Sequence, residues 1–186
     1  MDNPETIRRQ LPSEITAGTT GRRLRGSIPY NAPAQIVERG RRFTEVIRPG
    51  AFARALAGAR DVIATFNHDI GRLLGRTTSG TLTLTDGPDA LRYEVELPES
   101  AADVRELLTR GDLRGSSFTA APIGRDGDRW KGEHRELVAL DLFEVGPVVS
   151  PAYPTSGAEL RAGGPVLLAR FRPLALVGLM TRSLGG

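Results

Sequence analysis

The chain has 186 residues, which is enough for one domain with its own hydrophobic core. Hydrophobic residues make up 39% and charged residues 25% of the chain, and these globular proportions exclude a wholly disordered protein. With no cysteine, the chain cannot form disulfides, thiolate metal sites or a catalytic thiol, and its formal charge of +3 comes without the basic, aromatic-rich runs that bind nucleic acid.

Residues 1–26 mix Gly, Thr, Arg and Pro without apolar periodicity, so they are predicted to form a flexible arm or a first edge strand. They lack the continuous apolar stretch of a signal peptide, and no apolar run of the chain is long enough to span a bilayer. We therefore expect a cytosolic protein with neither a membrane nor a nucleic acid as partner. The folded domain is predicted over residues 27–154.

The first half of this domain contains two strand signals with a helix between them. Residues 43–47 alternate apolar and polar side chains as a half-buried strand does, and Pro49 and Gly50 then break the pattern. The alanine-rich residues 51–57 predict a short helix. Residues 61–66 predict a second strand, which ends directly before a polar tripeptide that contains a histidine.

Further strands follow, separated by turn-forming residues. Residues 73–78, 81–85 and 90–97 are predicted to form an antiparallel meander. Ser100 is placed to cap a helix over residues 101–110, with Gly111 as its stop. Two more β-rich segments, residues 113–121 and 135–149, complete a mostly β domain with two or three helices.

The C-terminal tail, residues 155–186, begins with a Thr-Ser-Gly sequence and ends in an apolar, arginine-rich stretch. Two interpretations are open. The tail packs on the domain or on a twin subunit, or it is a processing or docking segment that binds a partner and is cut off.

Only two histidines are available for any mechanism that needs an imidazole. His68 follows an apolar strand and precedes a small turn, a context that exposes a side chain at the mouth of a sheet. His134 stands in a polar loop and is expected to be solvated.

A serine pair and an acidic residue are the other candidates. Ser117 follows Ser116 in a glycine-flanked sequence that enters an apolar strand. A serine hydroxyl needs an adjacent base to become a nucleophile, so it would have to meet a histidine from elsewhere in the chain. Glu144 lies inside an apolar strand, where a carboxylate needs a partner, and Asp141 and Asp69 are alternatives for the acid that orients the imidazole.

Five sequence blocks, taken in order, carry a family resemblance: residues 43–52, 67–69, 74–77, 115–118 and 142–154. Together they resemble the prohead serine proteases of tailed phages. Gly115-Ser116-Ser117-Phe118 is similar to the Gly-x-Ser-Phe nucleophile motif of that family. Gly146 stands where the resemblance leads us to expect serine in many relatives.

The resemblance implies an antiparallel β-barrel surrounded by helices, similar to the herpesvirus assembly proteases. It also implies a triad of His68, Ser117 and Glu144 that needs no metal or cofactor. The expected activity is endopeptidase cleavage of the scaffold protein, or of the scaffolding region of the major capsid protein, inside the assembling prohead in the host cytosol. The resemblance further implies self-cleavage and makes a homodimer possible.

Two other functions remain open at this point. One is a protease-like structural component that guides assembly without cutting anything. The other is a small β-rich binding module, in which Ser117 is a plain strand residue and His68 a capping one. The presence of His68, Ser117 and Glu144 together favours the protease.

Overall fold

A computed structural model describes residues 6–12, 15–17, 22–58 and 60–149, and the predicted tail lies outside the described residues. The described part contains thirteen strands and two α-helices. The strands are β1 (Ile7–Pro12), β2 (Thr16–Ala17), β3 (Arg23–Pro29), β4 (Ala34–Glu38), β5 (Arg41–Ile47), β6 (Ile63–Phe66), β7 (Asp69–Arg76), β8 (Leu82–Asp86), β9 (Ala90–Glu96), β10 (Gly115–Pro122), β11 (Asp128–Lys131), β12 (His134–Leu137) and β13 (Leu140–Val148). The helices are α1 (Ala53–Leu56) and α2 (Ala102–Arg110), and a 3₁₀ turn at Glu99–Ala101 precedes α2.

The strands form three sheets. The largest has five strands in the order β1-β10-β13-β6-β7, and the other two have four strands each, β11-β12-β5-β4 and β2-β3-β9-β8. Most neighbouring strands run antiparallel, but β13 pairs with β6 and β12 pairs with β5 in parallel. Both parallel pairs join strands that are far apart in the chain, so the fold depends on long-range pairing.

One hydrophobic core lies between the sheets. The central strands β10 and β13 are buried along almost their whole length, and the buried residues include the polar Ser116, Ser117 and Glu144. Phe118 of β10 packs edge-on against Phe52, with ring centroids 5.6 Å apart. Both central strands therefore lie largely in the interior of the described part of the chain.

The predicted antiparallel β-barrel surrounded by helices is wrong, although the mostly β composition is confirmed. None of the three sheets closes on itself in the described residues, and β1 and β7 are the end strands of the largest one. Two short helices cannot surround a domain of thirteen strands. A barrel requires its end strands to pair with each other, and local sequence patterns carry no information about that pairing.

The predicted individual helices and strands are partly confirmed. The helix predicted over residues 101–110 is confirmed as α2, and Gly111 ends it in a left-handed conformation with φ 75°. The predicted cap by Ser100 is wrong, because Ala101 takes the cap position without a side-chain hydrogen bond. The meander is wrong in one step, since β8 pairs with β9 but β7 pairs with β6. Neither helix of the described residues is long and apolar enough to cross a membrane.

A buried ion-pair network joins β1 to the β11-β12-β5-β4 sheet. The Arg9 guanidinium contacts Glu45 through two bonds, from Nε to Oε1 at 2.5 Å and from Nη2 to Oε2 at 3.0 Å. Arg135 Nη1 reaches the same carboxylate at 3.3 Å, and Arg135 Nε donates to Asp128 at 2.7 Å. Arg9, Glu45 and Arg135 are each at most 6% exposed. Buried charges persist only when paired in this way.

Tyr93 links the β2-β3-β9-β8 sheet to the serine pair. Its ring crosses the backbone of β3 at Gly26, where an added Cβ atom would lie 2.3 Å from the tyrosine ring. The Tyr93 and Ser116 hydroxyl oxygens are hydrogen-bonded at 2.9 Å. Burial raises the pKa of the Tyr93 hydroxyl, so the hydroxyl stays protonated.

We predict that Gly26→Ala destabilises the protein by about 1 to 3 kcal/mol, the usual cost of overpacking a core, because Tyr93 must move away from Ser116. The free energy of unfolding in urea measures this loss. Ser27→Ala, on the next residue of β3, serves as the matched control and should change it much less. Equal stability of the Gly26→Ala variant and the wild type would contradict the close packing of the Tyr93 ring against Gly26.

Candidate functional site

The three predicted site residues lie on one face of the five-stranded sheet. Ser117 and Thr119 alternate with Phe118 along β10, so their side chains project to the face opposite the phenylalanine. Glu144 of β13 lies directly opposite Thr119 and therefore shares that face. His68 follows β6, the strand that pairs with β13 on its other side.

His68 sits in a strained two-residue turn. Phe66 and Asp69 pair across the β6-β7 hairpin, and Asn67 and His68 between them have φ of 53° and 61°. Two consecutive positive φ angles define a type I′ turn, in which glycine is usual at the second position. A histidine there costs conformational energy, and such strain concentrates at functional sites.

Hydrogen bonds to the end of β13 hold this turn in place. The Asn67 amide donates to the Pro147 carbonyl at 3.1 Å, and Asn67 Oδ1 accepts from the Val149 amide at 3.0 Å. The imidazole ring is thereby placed over the sheet, between β10 and β13.

In the structure, the side chains of Ser117, His68 and Glu144 form a hydrogen-bonded row with His68 in the middle. His68 Nε2 lies 2.5 Å from Ser117 Oγ, and His68 Nδ1 lies 3.0 Å from Glu144 Oε2. The His68 side chain is 6% exposed and that of Glu144 is 11% exposed. Because a carboxylate can only accept, its contact with Nδ1 requires a proton on Nδ1.

Two threonines hold the Glu144 carboxylate. Thr65 of β6 donates its hydroxyl to Oε1, and Thr119 of β10 donates to Oε2 at 2.8 Å. Burial by itself would raise the pKa of Glu144, but the hydrogen bonds from His68, Thr65 and Thr119 outweigh it and lower the pKa from 4.5 to about 2. The carboxylate is therefore ionised at neutral pH.

Gly146 sets the spacing of the strands beneath the site. It lies opposite Ser117 in the β10-β13 pairing, and an added Cβ atom would lie 1.9 Å from the Thr65 carbonyl oxygen. Serine, which the resemblance led us to expect here, does not fit while β13 stays this close to β6. The glycine permits the approach that places Thr65 beside Glu144.

The other candidates lie elsewhere. Asp69 accepts a hydrogen bond from the Gly71 amide at 2.8 Å, and Asp141 pairs with Arg60 at 2.9 Å. His134 is exposed at the start of β12. The described residues contain no group of three or more His, Cys, Asp or Glu side chains that could hold a metal ion.

Sequence reasoning missed three groups at the site. Thr65 and Thr119 are β-branched residues in strands, and nothing distinguishes them there from threonines chosen for β propensity. The third group is the Arg9 carbonyl on β1, which accepts a hydrogen bond from Ser117 Oγ at 2.7 Å. Ser117 is completely buried.

A hydroxyl, an imidazole and a carboxylate in this order form the arrangement that serine hydrolases use. Residues 19–164 match the family of caudovirus prohead serine proteases, and the chain belongs to that family. Its fold is similar to the solved structure of the bacteriophage T4 capsid assembly protease, gp21, with a TM-score of 0.51 and 11% sequence identity. That similarity covers 81% of this chain and 100% of the T4 chain, and no curated protein sequence matches. The family resemblance predicted from the sequence blocks is confirmed.

The lowered pKa of Glu144 generates a stability prediction. A carboxyl with a folded-state pKa of about 2 and an ordinary value of 4.5 stabilises the fold above about pH 4.5, and this contribution disappears as the pH falls towards 2. Glu144→Gln removes the charge while keeping the shape. We expect its deficit in unfolding free energy to be largest at pH 7 and to shrink between pH 4.5 and pH 2.

Urea unfolding of the wild type and the variant at several pH values measures this deficit. Glu99→Gln, at a side chain that is 87% exposed, serves as the control and should show no comparable pH-dependent gap. A Glu144→Gln deficit that is constant from pH 7 to pH 3 would mean that the hydrogen bonds do not favour the ionised form.

Proposed function

We propose that this protein is a serine endopeptidase in which Ser117 is the nucleophile, His68 its general base and Glu144 the group that orients the imidazole. The observation that carries the proposal is the pair of contacts at the imidazole, 2.5 Å from Nε2 to Ser117 and 3.0 Å from Nδ1 to Glu144. Membership of a family of prohead serine proteases supports the same assignment.

The proposed mechanism follows from the proton positions. The proton on Nδ1 faces Glu144, which leaves the lone pair on Nε2 to take the Ser117 proton as Oγ attacks a peptide carbonyl carbon. The ionised carboxylate stabilises the resulting imidazolium. The imidazolium then protonates the leaving amine, and water hydrolyses the acyl-enzyme with His68 again as base. Each preorganised donor to the tetrahedral oxyanion is worth about 3 to 4 kcal/mol of barrier.

The proposed substrates are the scaffold protein or the scaffolding region of the major capsid protein, cut inside the assembling prohead in the host cytoplasm. The family assignment supports such a role. We also propose self-cleavage in the tail, residues 155–186. The Val149 amide bonds to Asn67 beside His68, so the chain that continues from residue 149 is attached next to the site. A homodimer is also part of this proposal.

A non-catalytic assembly component is the second candidate. The complete burial of Ser117, with its hydroxyl within hydrogen-bonding distance of a backbone carbonyl, favours it, because a working nucleophile must be reachable by substrate. A variant that lacks the Ser117 hydroxyl distinguishes the protease from the non-catalytic assembly component.

We expect Ser117→Ala to abolish both self-cleavage and digestion of a coexpressed capsid or scaffold protein. Loss of a triad nucleophile lowers turnover by a factor on the order of 10⁴ to 10⁶. Mass spectrometry of the products measures both reactions. Ser116→Ala provides the matched control, since Ser116 bonds to Tyr93 rather than to His68. Equal cleavage by the wild type and Ser117→Ala would refute the mechanism, and no cleavage by either, together with no labelling of Ser117 by a fluorophosphonate in any variant, would favour the assembly component.

A second prediction concerns the threonine that holds Glu144. Thr119→Val keeps the shape of the side chain but removes the hydrogen bond to Oε2, so we expect kcat/KM to fall by about tenfold or more. The loss should appear in kcat rather than KM, because the imidazolium forms only during the reaction. Thr83→Val, on exposed β8, should leave both constants unchanged. A Thr119→Val effect confined to KM would place this threonine in substrate binding instead.

A further inference from the structure

β1 covers the long edge of the strand that carries Ser117. Residues Ile7–Pro12 pair antiparallel with residues 115–120 of β10, and Gln10 lies directly opposite Ser117. The other edge of β10 is taken by β13. With β1 in place, no further strand can pair with β10.

β1 also engages the hydroxyl itself. Ser117 Oγ lies 2.5 Å from His68 Nε2 and 2.7 Å from the Arg9 carbonyl oxygen. The hydroxyl has a single proton and can give it to only one of these acceptors at a time. When the Arg9 carbonyl holds the proton, it is not available to His68. This contact places the backbone of β1 directly against the Ser117 hydroxyl.

The Arg9 side chain fills an acidic pocket on the other face of the strand. It contacts Glu45 twice and Glu38 once, at 3.2 Å. Among the described residues that are joined by these ion pairs, Glu38, Glu45 and Asp128 contribute three negative charges, and Arg9 and Arg135 contribute two positive ones. Without Arg9, two negative charges of the network would be uncompensated. The pocket therefore favours another cation over an empty or neutral occupant.

The residues on either side of Arg9 complete the contact. Ile7 and Leu11 share its face of β1, are at most 6% exposed and belong to the hydrophobic core. β1 thus presents an apolar, a basic and a second apolar side chain at alternate positions. It lies before residue 19, where the match to the family begins, whereas β10 and β13 lie within the matched residues.

We propose that the β1 side of β10 is a peptide-binding edge that β1 occupies in this structure. Its substrate is an extended peptide that adds as a strand, with a basic side chain in the Glu38 and Glu45 pocket and apolar side chains two residues to either side. While β1 is bound, Ser117 is covered and the enzyme is latent. The proposal rests on the proposed function, because it assigns the substrate site of that same serine.

Loosening β1 tests this in the full-length chain. Arg9→Met keeps the apolar stem of the side chain but removes its charge from the pocket. A small fluorophosphonate reports the reactivity of Ser117, since Oγ bonds to phosphorus, fluoride leaves and His68 takes the hydroxyl proton. We expect Arg9→Met to raise the labelling rate by about tenfold or more, because loss of one buried ion-pair partner shifts such equilibria at least that far. Arg42→Met, at an exposed position of β5 outside β1, removes the same kind of charge and should label at the wild-type rate.

A peptide added in trans tests the binding edge. A synthetic peptide with the sequence of residues 6–12 should slow the labelling of the Arg9→Met variant. The same peptide with glutamate at the position of Arg9 should have no effect. Equal protection by both peptides would overturn the basic specificity, and protection by neither would overturn the edge as a binding site.

A crosslink provides a test if Arg9→Met does not fold. Ile7 and Ala120 are paired across β1 and β10, and the chain has no other cysteine, so Ile7→Cys with Ala120→Cys allows one disulfide. The oxidised form should label more slowly than the same protein after reduction, and should not cleave substrate. Equal rates before and after reduction would overturn latency. Absence of labelling in every variant, reduced or not, would instead refute the proposed function together with this inference.

Discussion

The close approach of β13 to β6 at Gly146 is the constraint on which the rest of the site depends. Only a residue without a Cβ atom fits there, because the Thr65 carbonyl oxygen occupies the space that a side chain would need. The approach brings the Thr65 hydroxyl to Glu144, and Thr119 reaches the same carboxylate from β10. Three adjacent strands therefore fix one carboxylate, and that carboxylate fixes the orientation of His68. Sheet geometry rather than a loop provides the precision of this arrangement.

The strained turn shows how that precision is maintained. Asn67 and His68 both have left-handed backbone conformations, which a two-residue hairpin requires but histidine disfavours. The hydrogen bonds between Asn67 and the end of β13 oppose relaxation of the turn. β13 thus carries Glu144 and also anchors the turn that holds His68. A disturbance of this single strand would separate both groups from Ser117.

Sequence patterns pointed to the candidate residues, but they did not predict the architecture. His68 could be found because only two histidines exist, and Glu144 because a carboxylate in an apolar strand needs a partner. The choice of Glu144 over Asp69 and Asp141 matches the contacts, since only Glu144 is within hydrogen-bonding distance of the imidazole among these three. The open sheets, the parallel β13-β6 pair and the placement of β1 depend on contacts between distant segments, which local periodicity does not encode. Local sequence also failed for the Ser100 cap, where a 3₁₀ turn took the place of the expected helix start.

The burial of Ser117 and the covering of one edge of β10 by β1 are two aspects of one physical problem. A strand that pairs with a substrate along one edge, as we propose for β10, must have that edge available, yet an open strand edge invites pairing with other chains. Such pairing would be favoured wherever many copies of a protein are confined together. An intramolecular strand such as β1 satisfies the backbone groups of β10 and covers the hydroxyl at the same time. The charged Arg9 pocket makes this occupancy selective, because a purely apolar strand would leave Glu45 and Glu38 undercompensated. In this proposal, the Arg9–Glu45 ion pair both disfavours pairing of β10 with strands that lack a basic residue and keeps β1 over the Ser117 hydroxyl.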